Sequence, residues 1–325
     1  MEFWENLEEE KQAIENSIEK NFSLIKNKRL RESSAHLLKS GGKRIRPLLL
    51  TLAHKAAGES NTQAIATVAT AIEYLHNWTL IHDDIIDKSD TRRNSLTVHK
   101  KWDTDTAILA GDALANLVFL LVAKSNIEKK EKVMEILSDT ALTILDGEMM
   151  DVDFEKSAEI TSEKSLEMVE KKTSTLITSS IKLGAILATN EESIINSLSD
   201  YGYSIGIAFQ IQDDLLDLLG EQTKVGKNLG RDIAEGKKTL IVIHSLNNSP
   251  ETKNRLLEIL QKKENTEDEI KEAINILKES GSIDYARQEL KKYLGQAREK
   301  LKEIPDSIYK EKLIELTDFF ETRTY

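Results

Sequence analysis

Leu80-Ile-His-Asp-Asp-Ile-Ile-Asp87 reads as the end of a helix carrying three aspartates, and Gln210-Ile-Gln-Asp-Asp-Leu-Leu-Asp217 repeats the pattern 130 residues later. Each residue of an α-helix turns ~100°, so positions i and i+4 lie ~40° apart on one face. Asp83 therefore projects beside Asp87, and Asp213 beside Asp217, with Asp84 and Asp214 flanking them. Outward from these motifs the helical period continues. Leu166, Val169, Leu176, Ile177, Ile181 and Leu183 recur at three- and four-residue spacing rather than alternating. Three prolines and 14 glycines in 325 residues are few breakers for so long a chain, so the fold class expected is all-α. Helices are predicted near 2–21, 28–40, 44–57, 62–87, 106–124, 130–153, 162–188, 191–220, 236–247, 251–263, 266–280, 282–303 and 306–323. Ser249-Pro250-Glu251 supplies an N-cap, a first-turn proline and an early acid.

Composition removes several classes. No cysteine is present, so disulfides, thiolate zinc sites and cysteine nucleophiles are excluded. The formal net charge of −11 argues against nucleic acid as a partner. The opening MEFWENLEEEKQ is acidic and lacks the apolar run of a secretory signal. The apolar stretch Leu114–Ala123 contains Asn116 and follows Asp112, and reads as too short and too polar to span a bilayer. A cytoplasmic protein that is not integral to a membrane is expected.

Aligned carboxylates in apolar helices are unfavourable on their own, because like charges at i,i+4 repel and an unpaired buried charge costs far more. A hard divalent cation removes the objection, since Mg²⁺ takes a few carboxylates together with water and phosphate oxygens. The plain alternative, an exposed acidic stripe, is weakened by the apolar residues that precede both copies. A di-iron carboxylate site would need two Glu-x-x-His pairs, and only Glu73-x-x-His76 fits.

Metal held only by carboxylates suggests a phosphate ligand, and each acidic run has cations near it in the sequence. Ser40-Gly-Gly-Lys-Arg-Ile-Arg-Pro47 joins a Gly-Gly turn to Lys43, Arg44 and Arg46 at a helix start, a combination suited to a diphosphate. Arg92 and Arg93 lie just beyond the first acidic motif and can each fork onto phosphate oxygens, the alternative being salt bridges to Asp87 or Asp90. Gly226-Lys-Asn-Leu-Gly-Arg-Asp-Ile-Ala-Glu-Gly-Lys-Lys-Thr-Leu240, with Lys227 and Lys237, follows the second.

These residues together resemble the trans-isoprenyl diphosphate synthases (polyprenyl synthetases). The likeness spans roughly residues 35–245 and includes GGKRIRP, the first Asp-rich motif with its Arg pair, AILAGDAL at 107–114, Lys172-Thr173, FQIQDDLLD and GKNLGRD…GKKTL. Asn94, Leu96 and Asp103 depart from the commonest residues of the family, all in the loop after the Arg pair. The resemblance implies an isoprenoid synthase fold: a single domain over 1–325, an antiparallel helical bundle around a deep central cavity, with peripheral helices over about 250–325, and a homodimer. It also implies Mg²⁺-dependent head-to-tail condensation of isopentenyl diphosphate with an allylic diphosphate.

Residue roles follow from the same resemblance. Asp83, Asp87 and Asp213 would hold Mg²⁺, three ions per site, within the clusters completed by Asp84, Asp214 and Asp217. Arg92, Lys172, Lys227 and Lys237 are assigned to the allylic diphosphate, and Lys43, Arg46, His76 and Arg93 to isopentenyl diphosphate. Gln210 and Thr173 would face the allylic cation. Trp78, five residues before Asp83, stands where a bulky aromatic floors the cavity, and Tyr74 would close it one turn deeper. NWTLIHDDIID looks most like archaeal short-chain enzymes, so geranylgeranyl diphosphate is the expected product, with a farnesyl or mixed C15/C20 synthase as the alternative. A terpene cyclase fits poorly because the second site is DDLLD rather than an Asn/Asp-Asp-x-x-Ser-x-x-x-Glu site. A non-catalytic subunit of a heteromeric synthase would tend to have lost one acidic motif, and both are kept here.

Overall fold

The computed structural model describes residues 8–58, 62–157, 160–220, 229–262 and 264–322. Helices dominate them, as the apolar spacing predicts: α1 Glu8–Asn21, α2 Lys28–Lys39, α3 Ile45–Ala56, α4 Thr62–Ile86, α5 Val98–Lys101, α6 Thr104–Lys124, α7 Lys130–Lys156, α8 Ser162–Val169, α9 Thr175–Ala188 and α10 Glu192–Leu219. After them come α11 Arg231–Ala234, α12 Leu240–Asn248, α13 Pro250–Leu260, α14 Glu267–Glu279, α15 Ser282–Leu301 and α16 Ile308–Thr322. The sequence reading did not foresee α5, α11 or the two-stranded hairpin β1 Thr91–Arg92 and β2 Ser95–Leu96. Such short pieces carry no periodicity to detect.

The chain groups into two compact units. The first comprises Met1–Leu142, Leu176–Ser199 and Glu303–Leu313. Here α4 runs against α6 and α3, with Val68, Ile72 and Leu75 buried on α4 and Leu114 and Val118 buried on α6. Each fully buried aliphatic side chain of this size contributes about 1.5–3 kcal/mol. Tyr74 is wholly buried; its hydroxyl donates to the Ile18 carbonyl of α1 (2.7 Å) and its ring rests 5.4 Å from Phe22.

The helix around Leu114–Ala123 is longer than the greasy stretch suggested. Its 21 residues, with a mean hydropathy of 2.0 over their most apolar window, are enough by length and composition to cross a bilayer. Half of that window is buried within the protein.

The second unit comprises Thr143–Thr175, Asp200–Lys302 and Ile314–Tyr325. Phe209 meets Phe320 edge-on at 5.4 Å, and α12 lies along α15. Thr161, Thr239 and Thr266 cap α8, α12 and α14 through their side chains, and Thr266 with Glu269 forms a full capping box. Pro250 opens α13 as expected, although the Ser249 side chain makes no capping bond. Between α8 and α9, Glu170–Ser174 forms a π-turn. A Cβ on Gly147 would sit 2.4 Å from the Lys172 nitrogen, and one on Gly206 2.3 Å from Ser174 Oγ, so only glycine lets α7 and α10 approach the wide turn this closely.

Candidate active site

In the first unit, α4 ends with the first aspartate set. The Arg92 guanidinium donates from Nε to Asp84 Oδ1 (2.6 Å) and from Nη2 to Asp83 Oδ2 (3.2 Å). Asp84 is buried, and its Oδ2 has no hydrogen-bond partner among the described residues. Burial, opposed by Arg92 and reinforced by the charges of Asp83 and Asp87, pushes its carboxyl up to about 6. Arg92 is placed by the hairpin, whose register pairs Arg92 with Ser95. The two turn residues, Arg93 and Asn94, have φ of +52° and +58°, the left-handed pair a type I′ turn requires. Asn tolerates that region better than any residue but Gly, which explains why Asn94 can stand where Gly is common.

The Gly41–Gly42 loop lies beside this hairpin. Arg93 Nη1 donates to the carbonyls of Gly41 (2.7 Å) and Leu37 (3.0 Å). Arg46 Nη1 lies 3.2 Å from His76 Nε2, and Lys43 is exposed. Burial, with the charges of Arg46, Arg93 and Arg92, drives the His76 pKa well below its ordinary value. The imidazole is therefore neutral and accepts from Arg46 at Nε2. The unfolded chain takes up this proton below about pH 6.5 and the native state does not. Stability from this residue is thus lost as pH falls through that range. In an NMR titration from pH 8 to 5.5, the His76 ring signals are expected to stay those of the neutral form, and His76→Gln should lessen acid destabilisation.

In the second unit, a cleft of about 120 Å³ is bounded by Lys172, Thr173, Gln210, Asp214, Asp232 and Lys237, among others. Thr173 Oγ1 donates to Gln210 Oε1 (2.9 Å), and Gln210 Nε2 donates to Asp214 Oδ1 (2.7 Å). Lys172 Nζ bridges Asp151 (2.6 Å) and Glu148 (2.8 Å) of α7. Burial and the neighbouring charge of Asp217 push Asp232 up to about 7, and burial with Asp232, Asp213 and Asp217 raises Asp214 well above the usual range. Lys238 donates to the carbonyls of Phe154 (2.8 Å) and Ser157 (2.5 Å), closing the end of α7.

Residues 27–277 match the family model described as Polyprenyl synthetase. The chain is 39% identical over 314 residues to the geranylgeranyl diphosphate synthase of Methanosarcina mazei, covering 96% of this chain and 95% of that one. It is 33% identical to the geranylfarnesyl diphosphate synthase of Natronomonas pharaonis, over 98% and 96% of the two chains. The crystal structure of geranylgeranyl pyrophosphate synthetase from Pyrococcus horikoshii superposes with a TM-score of 0.93 at 38% identity, covering 99% and 98%. This chain belongs to the polyprenyl synthetase family. It is a short-chain trans-prenyltransferase with the all-α isoprenoid synthase fold of that family.

Polyprenyl synthetases are generally magnesium-dependent, and the donor set here suits such an ion. The acidic groups are oxygen-only, Asp84 carries an orphaned buried oxygen, and burial with neighbouring carboxylates raises Asp214 and Asp232, an environment that a cation would relieve. Among the described residues no three or more His, Asp or Glu converge on one point. Water and substrate oxygens would complete the shell of an ion held by one or two carboxylates.

Several residues of this polyprenyl synthetase do something other than the motif suggests. Arg44 is not a surface cation: its guanidinium is buried and bonds Glu15 and Glu73. Arg92 pairs with Asp83 and Asp84 rather than with Asp87 or Asp90. Asp217 accepts the backbone N–H groups of Arg231 (3.2 Å) and Asp232 (3.1 Å), so its carboxylate caps α11. Tyr74 is committed to α1 and Phe22. Lys227 lies outside the described residues. Glu148, Asp151 and Asp232 were missed. Only Asp232 had a signal, its place in the Gly-rich basic loop.

Proposed function

We propose that this prenyltransferase makes geranylgeranyl diphosphate by condensing isopentenyl diphosphate with allylic diphosphates. The observation that carries the reading is that each unit sets a buried aspartate and a half-buried one together beside cations: Asp84 and Asp83 with Arg92 in one, Asp214 and Asp232 with Lys172 and Lys237 around the cleft of the other. That is the charge pattern a metal–diphosphate ligand satisfies. The C20 product is favoured by the name of the Methanosarcina relative, and a farnesyl or mixed C15/C20 product is the second outcome.

Asp83, Asp87 and Asp213 would hold Mg²⁺, three ions per active site. When bound, the ions neutralise the charge that grows on diphosphate as it departs. Arg92, Lys172, Lys227 and Lys237 bind allylic diphosphate oxygens. Lys43, Arg46, neutral His76 and Arg93 bind and orient isopentenyl diphosphate. Its double bond attacks the allylic cation, and the released diphosphate takes the proton that leaves. Gln210 and Thr173 turn oxygen atoms toward the cation, and the apolar helices exclude the water that would quench it.

The enzyme works as one catalytic domain, as a cytoplasmic homodimer. Leu142, Leu145 and Met149 fall at i, i+3 and i+7 on α7 and are 64%, 45% and 61% exposed, a stripe that a second copy would cover. Light scattering is expected to give twice the 36.7 kDa chain mass. Radiolabelled isopentenyl diphosphate, supplied with allylic acceptors of different lengths with and without Mg²⁺, tests the reaction. A C20 product formed only with the metal is expected. Absence of any condensation would leave the chain as a non-catalytic subunit.

A further inference from the structure

Behind the Gly41–Gly42 loop lies a buried charge network that no substrate assignment uses. Arg44 opens α3 with φ of +51° and its side chain turned inward. Its guanidinium reaches Glu15 of α1 (2.7 and 3.2 Å), Glu73 of α4 (2.8 Å) and the carbonyl of Leu38 (2.6 Å). Glu73, 2% exposed, accepts a second bond at the same oxygen from Asn77 Nδ2 (2.9 Å). Asn77, also fully buried, faces Arg93 Nη1 with its Oδ1 (3.4 Å). A Cβ on Gly42 would come within 3.1 Å of Arg44 Nη1 and 3.2 Å of Arg93 Cζ. The two guanidinia therefore lie against one glycine, and both reach the Gly41 carbonyl, at 3.4 and 2.7 Å.

A buried Arg44 guanidinium and a half-buried Arg93 guanidinium this close repel each other, and an uncompensated buried charge is costly. Glu73 is the one wholly buried carboxylate bonded in this network. It pairs directly with Arg44 and, through Asn77, orients Arg93. We infer that Glu73 and Asn77 are positioning residues for the isopentenyl diphosphate half-site: they fix the Arg93 guanidinium and the Gly41–Gly42 backbone in the geometry that binds the diphosphate. This rests on the assignment of Arg93 to that substrate made above, and adds the residues that aim it.

The test is steady-state kinetics with each substrate varied in turn. Asn77→Ala removes the link to Arg93 without removing a charge. It is expected to raise KM for isopentenyl diphosphate about fivefold, the cost of about one ordinary hydrogen bond, with kcat and the KM for the allylic diphosphate within twofold of the parent. Asn77→Asp keeps an acceptor toward Arg93 but sets an oxygen against Glu73 Oε1 where Nδ2 donates at 2.9 Å, so it should raise the KM for isopentenyl diphosphate at least as much. Glu73→Gln keeps an acceptor but deletes the charge, and should show the same selective KM rise in a larger size. If Glu73→Gln does not fold, the Asn77 pair still decides. Equal rises in both KM values, or an unchanged KM for isopentenyl diphosphate in Asn77→Ala, would overturn the assignment. Failure of the parent enzyme to condense the substrates at all would instead overturn the functional reading beneath it.

Discussion

Asp83→Ala and Asp213→Ala are each expected to lower kcat by about 10²–10³-fold, the usual loss when one preorganised group that stabilises transition-state charge is removed. Asp83→Ala should not lower the melting temperature. Asp83 stands among the like charges of Asp84 and Asp87, and Arg92 keeps its 2.6 Å bond to Asp84 without it. Asp217→Ala should behave differently, although the motif presents it as the equal of Asp213. Its two oxygens each take a backbone N–H at the start of α11, so its loss should cost about 1–2 kcal/mol of stability. The loop bearing Asp232 and Lys237 should loosen with it. Kinetics at saturating Mg²⁺ beside thermal melts separate the two behaviours. A destabilised Asp83→Ala, or an Asp217→Ala as stable as the parent, would contradict this division.

Trp78→Ala should lengthen the product by one or more isoprene units. The indole is locked in place: Nε1 donates to His82 Nδ1 (3.2 Å), the rings meet edge to face at 6.3 Å, and His82 Nε2 sits 3.3 Å from the Ile108 carbonyl of α6. A Cβ on Gly111 would collide with that imidazole at 2.3 Å, so the histidine is wedged and holds the tryptophan with it. A side chain so held can stop a growing chain; a free one would swing aside. Tyr74→Phe is the contrasting variant. It removes the bond to the Ile18 carbonyl, costs about 1 kcal/mol of stability, and should leave product length unchanged because the ring packs on Phe22 of the N-terminal segment. Chromatography of dephosphorylated products reads both. An unchanged chain length in Trp78→Ala would remove the floor from the account.

Much of this enzyme was legible in its residues because helices advertise themselves by periodicity. The ends of α4 and α10 were found within a residue or two from apolar spacing, and the acidic and basic runs were found together because like charges require a counterpart. What escaped was set by tertiary contact. Arg44 looks like its neighbours Lys43 and Arg46, yet a left-handed φ turns it to Glu73, a partner 29 residues away that no spacing rule indicates. Asp217 looks like its neighbour Asp213, yet its oxygens take the amides of Arg231 and Asp232, 14 and 15 residues further on. The hairpin carrying Arg92 is only two residues per strand, below the length at which alternation can be seen.

The π-turn at Glu170–Ser174 has a bearing on how this family tolerates change. Three consecutive side chains there serve three separate neighbours: Lys172 the acids of α7, Thr173 the Gln210 amide, and Ser174 the Tyr203 carbonyl. Deleting one residue would restore a regular helix and spin everything upstream by ~100° with a ~1.5 Å shift. Insertions and deletions in related chains should therefore cluster in the connecting loops and spare this segment, which acts as a fixed gauge for the register of the whole cleft wall.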